Sequence, residues 1–153
     1  MAKRTNPQAL RNLANSIKNP KEARVGFFKS SVYEDGTPVA YVAAIQEFGN
    51  PAGGIPSRSF IRTTIAEQEG PWRDLMKNGC KAIVNGKATV DQVMEGMGLQ
   101  AEGDMKAKIS QISQPPLKAG TIKNRLKRGN KSQKPLVDTG YMLATLTHTV
   151  EKP

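Results

Sequence analysis

The sequence predicts an α+β protein: a small antiparallel sheet with several packed helices and long loops or arms. Three observations point there. Apolar residues recur at helical spacing along most of the chain. Runs rich in β-branched and aromatic residues occur only near residues 23–33 and at the C-terminal end. The chain also holds 14 glycines and 10 prolines in 153 residues. The length suits a single domain, residues 1–153, with one core. A hydrophobic content of 37% predicts a modest core with exposed connections or arms rather than a compact enzyme.

The elements follow in order. Asn6 before Pro7 is a helix start, because Asn caps and Pro fits the first turn. Leu10, Leu13, Ala14 and Ile17 then form one apolar stripe, and Asn19-Pro20 ends the run. Lys3, Arg4, Arg11 and Lys18 make the back of this helix basic. Residues 23–33, ARVGFFKSSVY, predict a strand, and Glu34-Asp35-Gly36 a turn. Thr37 caps and Pro38 opens a second helix that Gly49 closes, with Tyr41, Ala44, Ile45 and Phe48 as its buried face.

Residues 50–59, NPAGGIPSRS, predict a loop. Phe60, Ile61, Thr64 and Ile65 begin a third helix, which Gly70-Pro71 should kink or interrupt. It resumes from Trp72 to the Asn85-Gly86 stop, with Trp72, Leu75, Met76 and Ile83 in the core. Thr89 and Gln92 form a capping box. The helix behind it carries Val90, Val93, Met94, Met97 and Ala101 on one side. Gly96, Gly98 and Gly103 each weaken it by about 1 kcal/mol relative to Ala, so packing must support it. Residues 86–113 thus predict a helical segment.

Pro115-Pro116 breaks the chain within a basic connecting arm, residues 114–135. Its stretch 117–134 has seven Lys/Arg and no acid. Thr121 caps a short helix reaching Arg128. A turn or short helix and a last strand, roughly 144–151, finish the chain.

Charge is unevenly placed. The net charge of +10 divides into +6 over residues 1–29, −2 over 30–117 and +6 over 118–153. Basic ends on a slightly acidic body meet an acidic partner, DNA or protein, or are simply solvated faces. No apolar run approaches the roughly 20 residues that span a membrane, and none follows the basic N-terminus as a secretory signal would require.

The chemistry-bearing residues are few. Cys80 and His148 are the only cysteine and histidine, which leaves no four-ligand zinc set and no internal disulfide. Cys80 is expected as a small buried apolar group and His148 as an exposed strand residue. Asp138-Thr139-Gly140 is the tripeptide of aspartic proteases. Those enzymes place two such loops face to face so that two carboxylates share a proton. Here there is one loop, in a mostly helical chain, followed by the bulky Tyr141. The alternative is structural: Asp138 caps the turn of Tyr141-Met142-Leu143, and Gly140 lets the backbone turn. No catalytic, cofactor-binding or metal-binding residue is assigned, and the chain is expected not to be an enzyme.

Three segments together carry a family resemblance. PLVDTGYMLATLTHTV resembles the C-terminal signature of phage virion-morphogenesis and tail-completion proteins. PPLKAGTIKNRLKRG, upstream, is similar to the basic segment of that family. VAAIQEFGNPAGGIPSRSFIRTTI is similar to its central element, a helix ending in Glu-Phe-Gly, then a loop, then Ile-Pro-x-Arg-x-Phe opening a long helix. Ser59 stands where the family often has Pro. The three segments cover about half the chain in the expected order, and residues 86–113 have no counterpart in it.

The resemblance implies a small α+β structural subunit of the phage neck. It would complete the tail or join it to the DNA-filled head, as a ring that commonly has six copies. Its partners would be its own copies and the neighbouring neck, connector, tail-terminator or tail-tube proteins, with packaged DNA as a further contact. It would act in the virion, after synthesis in the host cytoplasm. The assembly candidates are Glu47, Phe48, Gly49, Pro56, Arg58 and Phe60 around the central loop, Lys123, Arg125, Lys127 and Arg128 in the basic arm, and Asp138, Thr139 and Gly140. A plainer expectation stands beside this one: Phe48 and Phe60 are core, and Arg58 satisfies a nearby carboxylate. The competing function is a stand-alone basic nucleic-acid-binding protein, supported by the basic ends and by KNRLKRGNKSQK. Against it, no aromatic residue lies among residues 118–134 to stack on bases.

Overall fold

The computed structural model describes residues 6–153. Among them are six helices and two strands: α1 (Pro7–Lys18), β1 (Glu22–Gly26), α2 (Val39–Phe48), α3 (Ile61–Val84), α4 (Val90–Gln111), α5 (Ala119–Lys127), α6 (Tyr141–Thr145) and β2 (Thr147–Glu151). β1 and β2 pair as a two-stranded antiparallel sheet, so the architecture is α+β. Lys3 and Arg4, expected on the back of the first helix, lie outside the described residues.

The chain forms two compact units. The first holds the described residues up to Val25, Gln68–Ala101 and His148–Pro153. The second holds Gly26–Glu67 and Glu102–Thr147.

In the first unit, α1 begins as its sequence dictates. Asn6 accepts the Gln8 N–H at 3.0 Å, and Pro7 occupies the first turn. The capping box of α4 also forms. The Thr89 N–H donates to Gln92 Oε1 at 2.9 Å, and the Gln92 N–H returns to Thr89 Oγ1 at 3.1 Å. Two ion pairs tie the segments together, Lys21 to Asp91 and Arg24 to Glu151, both at 2.8 Å.

Several expectations for this unit are corrected. α3 runs unbroken through Pro71. Proline has a helical φ, so it removes one ladder hydrogen bond and crowds one carbonyl without forcing the chain out of the helix. Cys80 is exposed, on the solvent side of α3. Leu75, expected in the core, is also exposed. His148 is not an exposed strand residue: its side chain is 11% exposed, its ring lies against Gly98, and Nε2 is 3.2 Å from Glu95 Oε1.

The second unit contains most of the core. Val39, Ala43, Phe60, Met105, Ile109, Leu136, Met142 and Leu146 are all buried. Phe27 meets Phe60 edge to face with ring centroids 6.2 Å apart, and α2 packs against α6. β1 stops at Gly26, well short of the strand expected to reach residue 33. Beyond it the chain turns, and Val32 forms an isolated bridge to Pro38. Thr37 is not the cap of α2; Pro38 holds that position without a side-chain bond, and the Thr37 N–H is taken by Asp35 Oδ1 at 2.9 Å.

The buried face of α2 is Val39, Ala43 and Glu47, rather than Tyr41, Ala44, Ile45 and Phe48. Tyr41 and Phe48 point outward, Phe48 with 66% exposure. VAYVAAI is apolar on every side of the helix, so hydrophobic pattern alone does not choose a face. Further along, Thr121 lies inside α5 and Lys118 holds the cap position. The last strand is shorter than expected because Tyr141–Thr145 are helical.

Candidate functional site

The three segments that carry the resemblance meet in the second unit, in a network of buried polar side chains. It starts at the end of α2. Gly49 closes that helix with φ +80°, and a Cβ there would stand 2.8 Å from the Ser57 backbone nitrogen. Only glycine permits both the conformation and the approach. The loop then folds back. Asn50 and Ile55 exchange backbone hydrogen bonds of 2.8 and 2.9 Å, the Arg58 N–H donates to Gln46 O at 2.7 Å, and Ser57 Oγ donates to Glu47 O at 2.7 Å. The loop predicted over residues 50–59 thus satisfies carbonyls at the α2 C-terminus.

Glu47 caps the next helix from outside it. It is 2% exposed. One carboxylate oxygen accepts the backbone N–H groups of Phe60 and Ile61 at 2.7 and 2.8 Å. The other accepts Ser59 Oγ at 2.6 Å, the Arg62 N–H at 3.2 Å and Arg62 Nε at 2.8 Å. The first N–H groups of a helix have no partner within it, and they attract negative charge. Burial pushes the Glu47 carboxyl up. The bonds from Ser59, Arg62 and the Ile61 and Arg62 backbone outweigh that and hold it down at about 2. Arg62 also donates to Glu47 O at 2.9 Å and lies 4.8 Å over the Phe48 ring.

Arg58 ties this corner to the proline break. It is buried and donates from Nε to Pro115 O at 2.8 Å, from Nη2 to Pro116 O at 3.0 Å and from Nη1 to Gln46 Oε1 at 3.1 Å. Its acceptors are thus carbonyls, not the carboxylate expected. Burial, and then the charge of Arg125, lower its pKa.

Arg125, on α5, organises the chain after it. It is buried, and Nη1 donates to the carbonyls of Ser132, Lys134 and Val137 at 3.1, 2.8 and 3.3 Å. Its Nε is 3.3 Å from Asp138 Oδ1, an ion pair rather than an aligned hydrogen bond. Asp138 therefore does not cap α6; Gly140, at φ +82°, holds that position. The Asp138 carboxylate instead accepts Arg128 Nη2 at 2.9 Å and the amide of Asn130.

Beside this ion cluster is an open pocket of about 350 Å³, whose lining includes Tyr33, Asp35, Arg128, Asp138 and Tyr141. Tyr141 Oη donates to Val32 O at 2.8 Å. Burial, then the neighbouring Asp138, Tyr141 and Asp35, raise the Tyr33 pKa. The loop of Asp138 is thus held by cations and an amide, with both carboxylate oxygens engaged. Among the described residues, no group of three or more His, Cys, Asp or Glu is placed to hold a metal ion. Nor is any helix of these residues long and apolar enough to cross a membrane.

The candidates divide by exposure. Glu47, Arg58, Phe60 and Arg125 are buried framework. Gly49, Pro56, Asp138 and Gly140 are half-buried, whereas Phe48, Lys123, Lys127, Arg128 and Thr139 are exposed and available to a partner. Sequence reasoning missed Gln46, Ser59, Arg62, Asn130 and Ser132. The Asn130–Ser132 turn had a signal in its Gly-Asn-Lys-Ser composition: the Ser132 N–H bonds to Asn130 Oδ1 at 2.8 Å.

In comparisons with known proteins, no family model, curated protein or solved structure matches the chain.

Proposed function

We propose that this chain is a structural subunit of the phage neck that completes the tail and/or joins it to the DNA-filled head. It works as a ring of its own copies, six in the form the resemblance implies. Its neighbours are connector and tail-terminator or tail-tube proteins, and its basic ends face packaged DNA or an acidic neighbouring ring. It performs no chemistry of its own.

One observation supports this reading above the others. Buried arginines join the three resembling segments: Arg58 of the central segment donates to the Pro115 and Pro116 carbonyls of the second, and Arg125 of the second donates to the Pro135 and Val137 carbonyls of the C-terminal one and forms an ion pair with its Asp138. Short motifs that recur by chance have no reason to converge in space. Here the motif residues are those that hold the backbone of their own unit. Immunogold labelling of intact particles with antibodies to this chain tests the reading. Gold at the head–tail junction is expected; gold on the capsid face, on the fibres or nowhere would overturn it.

The alternative, a stand-alone basic nucleic-acid-binding protein, draws on the exposed Lys123, Lys127 and Arg128 at α5. It requires tight duplex binding by the isolated chain that falls steeply with salt. The neck reading requires weak binding by the isolated chain.

A further inference from the structure

Helix α1 is built with its polar side inward. Asn12 Nδ2 donates to Val84 O at 3.3 Å. The apolar stripe of Leu10, Leu13, Ala14 and Ile17 faces solvent, Ile17 with 71% exposure, and no residue of the helix is buried. Arg11 and Lys18, three residues before and four after Ala14, lie along one edge of the stripe rather than on the back of the helix as expected, and the helix has no acid. The surrounding unit has little core to explain this. Among the described residues, its one buried hydrophobic side chain is Ala101. An amphipathic helix that turns its apolar face outward marks an interaction surface.

The same unit has a surface of complementary character. The first turns of α4 carry a shallow, mainly apolar groove along Gly96 and Leu99, bordered by Asp91 and Glu95. Leu99 is 62% exposed. Asp91 pairs with Lys21 and Glu95 with His148, yet both carboxylate side chains remain about two-thirds exposed.

We propose that α1 of one copy docks by its apolar stripe into the α4 groove of a second copy, with Arg11 and Lys18 set against Asp91 and Glu95. The charges decide the occupant: the charged residues of α1 are all cations, those lining the groove are the carboxylates Asp91 and Glu95 beside Gln92, and both patches belong to one chain. The contact joins two different patches, so it is heterologous and propagates from copy to copy, closing a ring where the rotation allows. Its size sets its strength. Twelve residues of helix span about 18 Å, too little to cover the roughly 800 Å² per partner of a stable pair. Two copies therefore associate weakly, and repetition supplies the stability. The inference stands on these two patches and not on the neck role.

Sedimentation analysis over a concentration series, to hundreds of micromolar, tests it. The average mass of the unaltered chain should rise above the single-chain 16.6 kDa. Leu13→Asp and Leu99→Asp should each remain single chains, with unchanged circular dichroism because both sites are exposed. Mixed together, with one labelled, they should form a 1:1 complex and nothing larger, since each retains one intact patch. Arg11→Glu and Glu95→Arg should each weaken association, and the two in one chain should restore it. A single chain at every concentration would overturn the proposal. So would association that survives Leu99→Asp, which would assign α1 to another surface, or the absence of a complex in the mixture.

Discussion

Glu47 and Phe60 are joined by a 2.7 Å hydrogen bond, from the Phe60 backbone N–H to the carboxylate, across thirteen residues. The bond couples the end of α2 to the start of α3, and the Ser59, Ile61 and Arg62 donors converge on the same two oxygens. Glu47→Gln leaves one acceptor oxygen and turns an amide N–H₂ toward backbone donors. Urea unfolding should show a loss of about 2–4 kcal/mol, the range for breaking a buried charged network. Two aromatic substitutions calibrate it. Phe60→Ala should cost about 3–5 kcal/mol, whereas the exposed Phe48→Ala should cost about 1 kcal/mol or less.

Acid should unfold the protein through the same residue. The folded Glu47 pKa is about 2, below its ordinary value of 4.5. At intermediate pH the unfolded chain therefore binds the extra proton, and stability falls as pH falls. The contribution is complete above about pH 4.5, where the unfolded carboxyl is also ionised. It is lost progressively down to about pH 2, and amounts to about 3 kcal/mol at most. Unfolding free energies measured from pH 6 to pH 2 should follow that course, and Glu47→Gln should flatten it.

Much of this arrangement was legible in the sequence, for local reasons. Asn6-Pro7, Thr89 with Gln92, and Gly49 do what their side chains or backbone freedom dictate, because the partner lies a few residues away. Phe60 is core as expected, although Phe48, expected there with it, is exposed. The failures at the site are tertiary. The face of α2 was misassigned because an apolar helix has no preferred side until Glu47 finds the N-terminus of α3. Arg58 was expected to seek a carboxylate, but the carbonyls of Pro115 and Pro116, brought back from 57 and 58 residues away, accept it. Asp138 has the composition of a cap, yet Arg125 and Arg128 from another helix claim it. The α1 stripe was correctly placed on one face, but nothing local says that the face looks outward.

Two glycines with similar φ should respond differently to alanine. Gly140, at φ +82°, has nothing within 4 Å of a new Cβ. Gly140→Ala should cost only the left-handed backbone term, about 1–2 kcal/mol. Gly49→Ala adds contacts of 2.8 Å with Ser57 N and 3.1 Å with Ile55 O. Both are backbone atoms of the loop closed on α2, so this substitution should be clearly worse and should lower the melting temperature by more.

The Arg125 and Asp138 pair gives an equally unequal result. Arg125→Lys keeps the charge but loses the fork that spans the carbonyls of residues 132–137, and should cost about 2–3 kcal/mol. Asp138→Asn retains oxygen for Asn130 and Arg128, and should cost about 1 kcal/mol. Thermal unfolding of the two variants side by side checks the order. A larger effect for Asp138→Asn would place the ion pair, not the carbonyl clamp, at the centre of this corner.

The most direct test of the neck role is electron microscopy of particles produced when the gene for this chain carries an early stop codon. DNA-filled heads lying beside separate tails of full length are expected. Normally joined particles would contradict it.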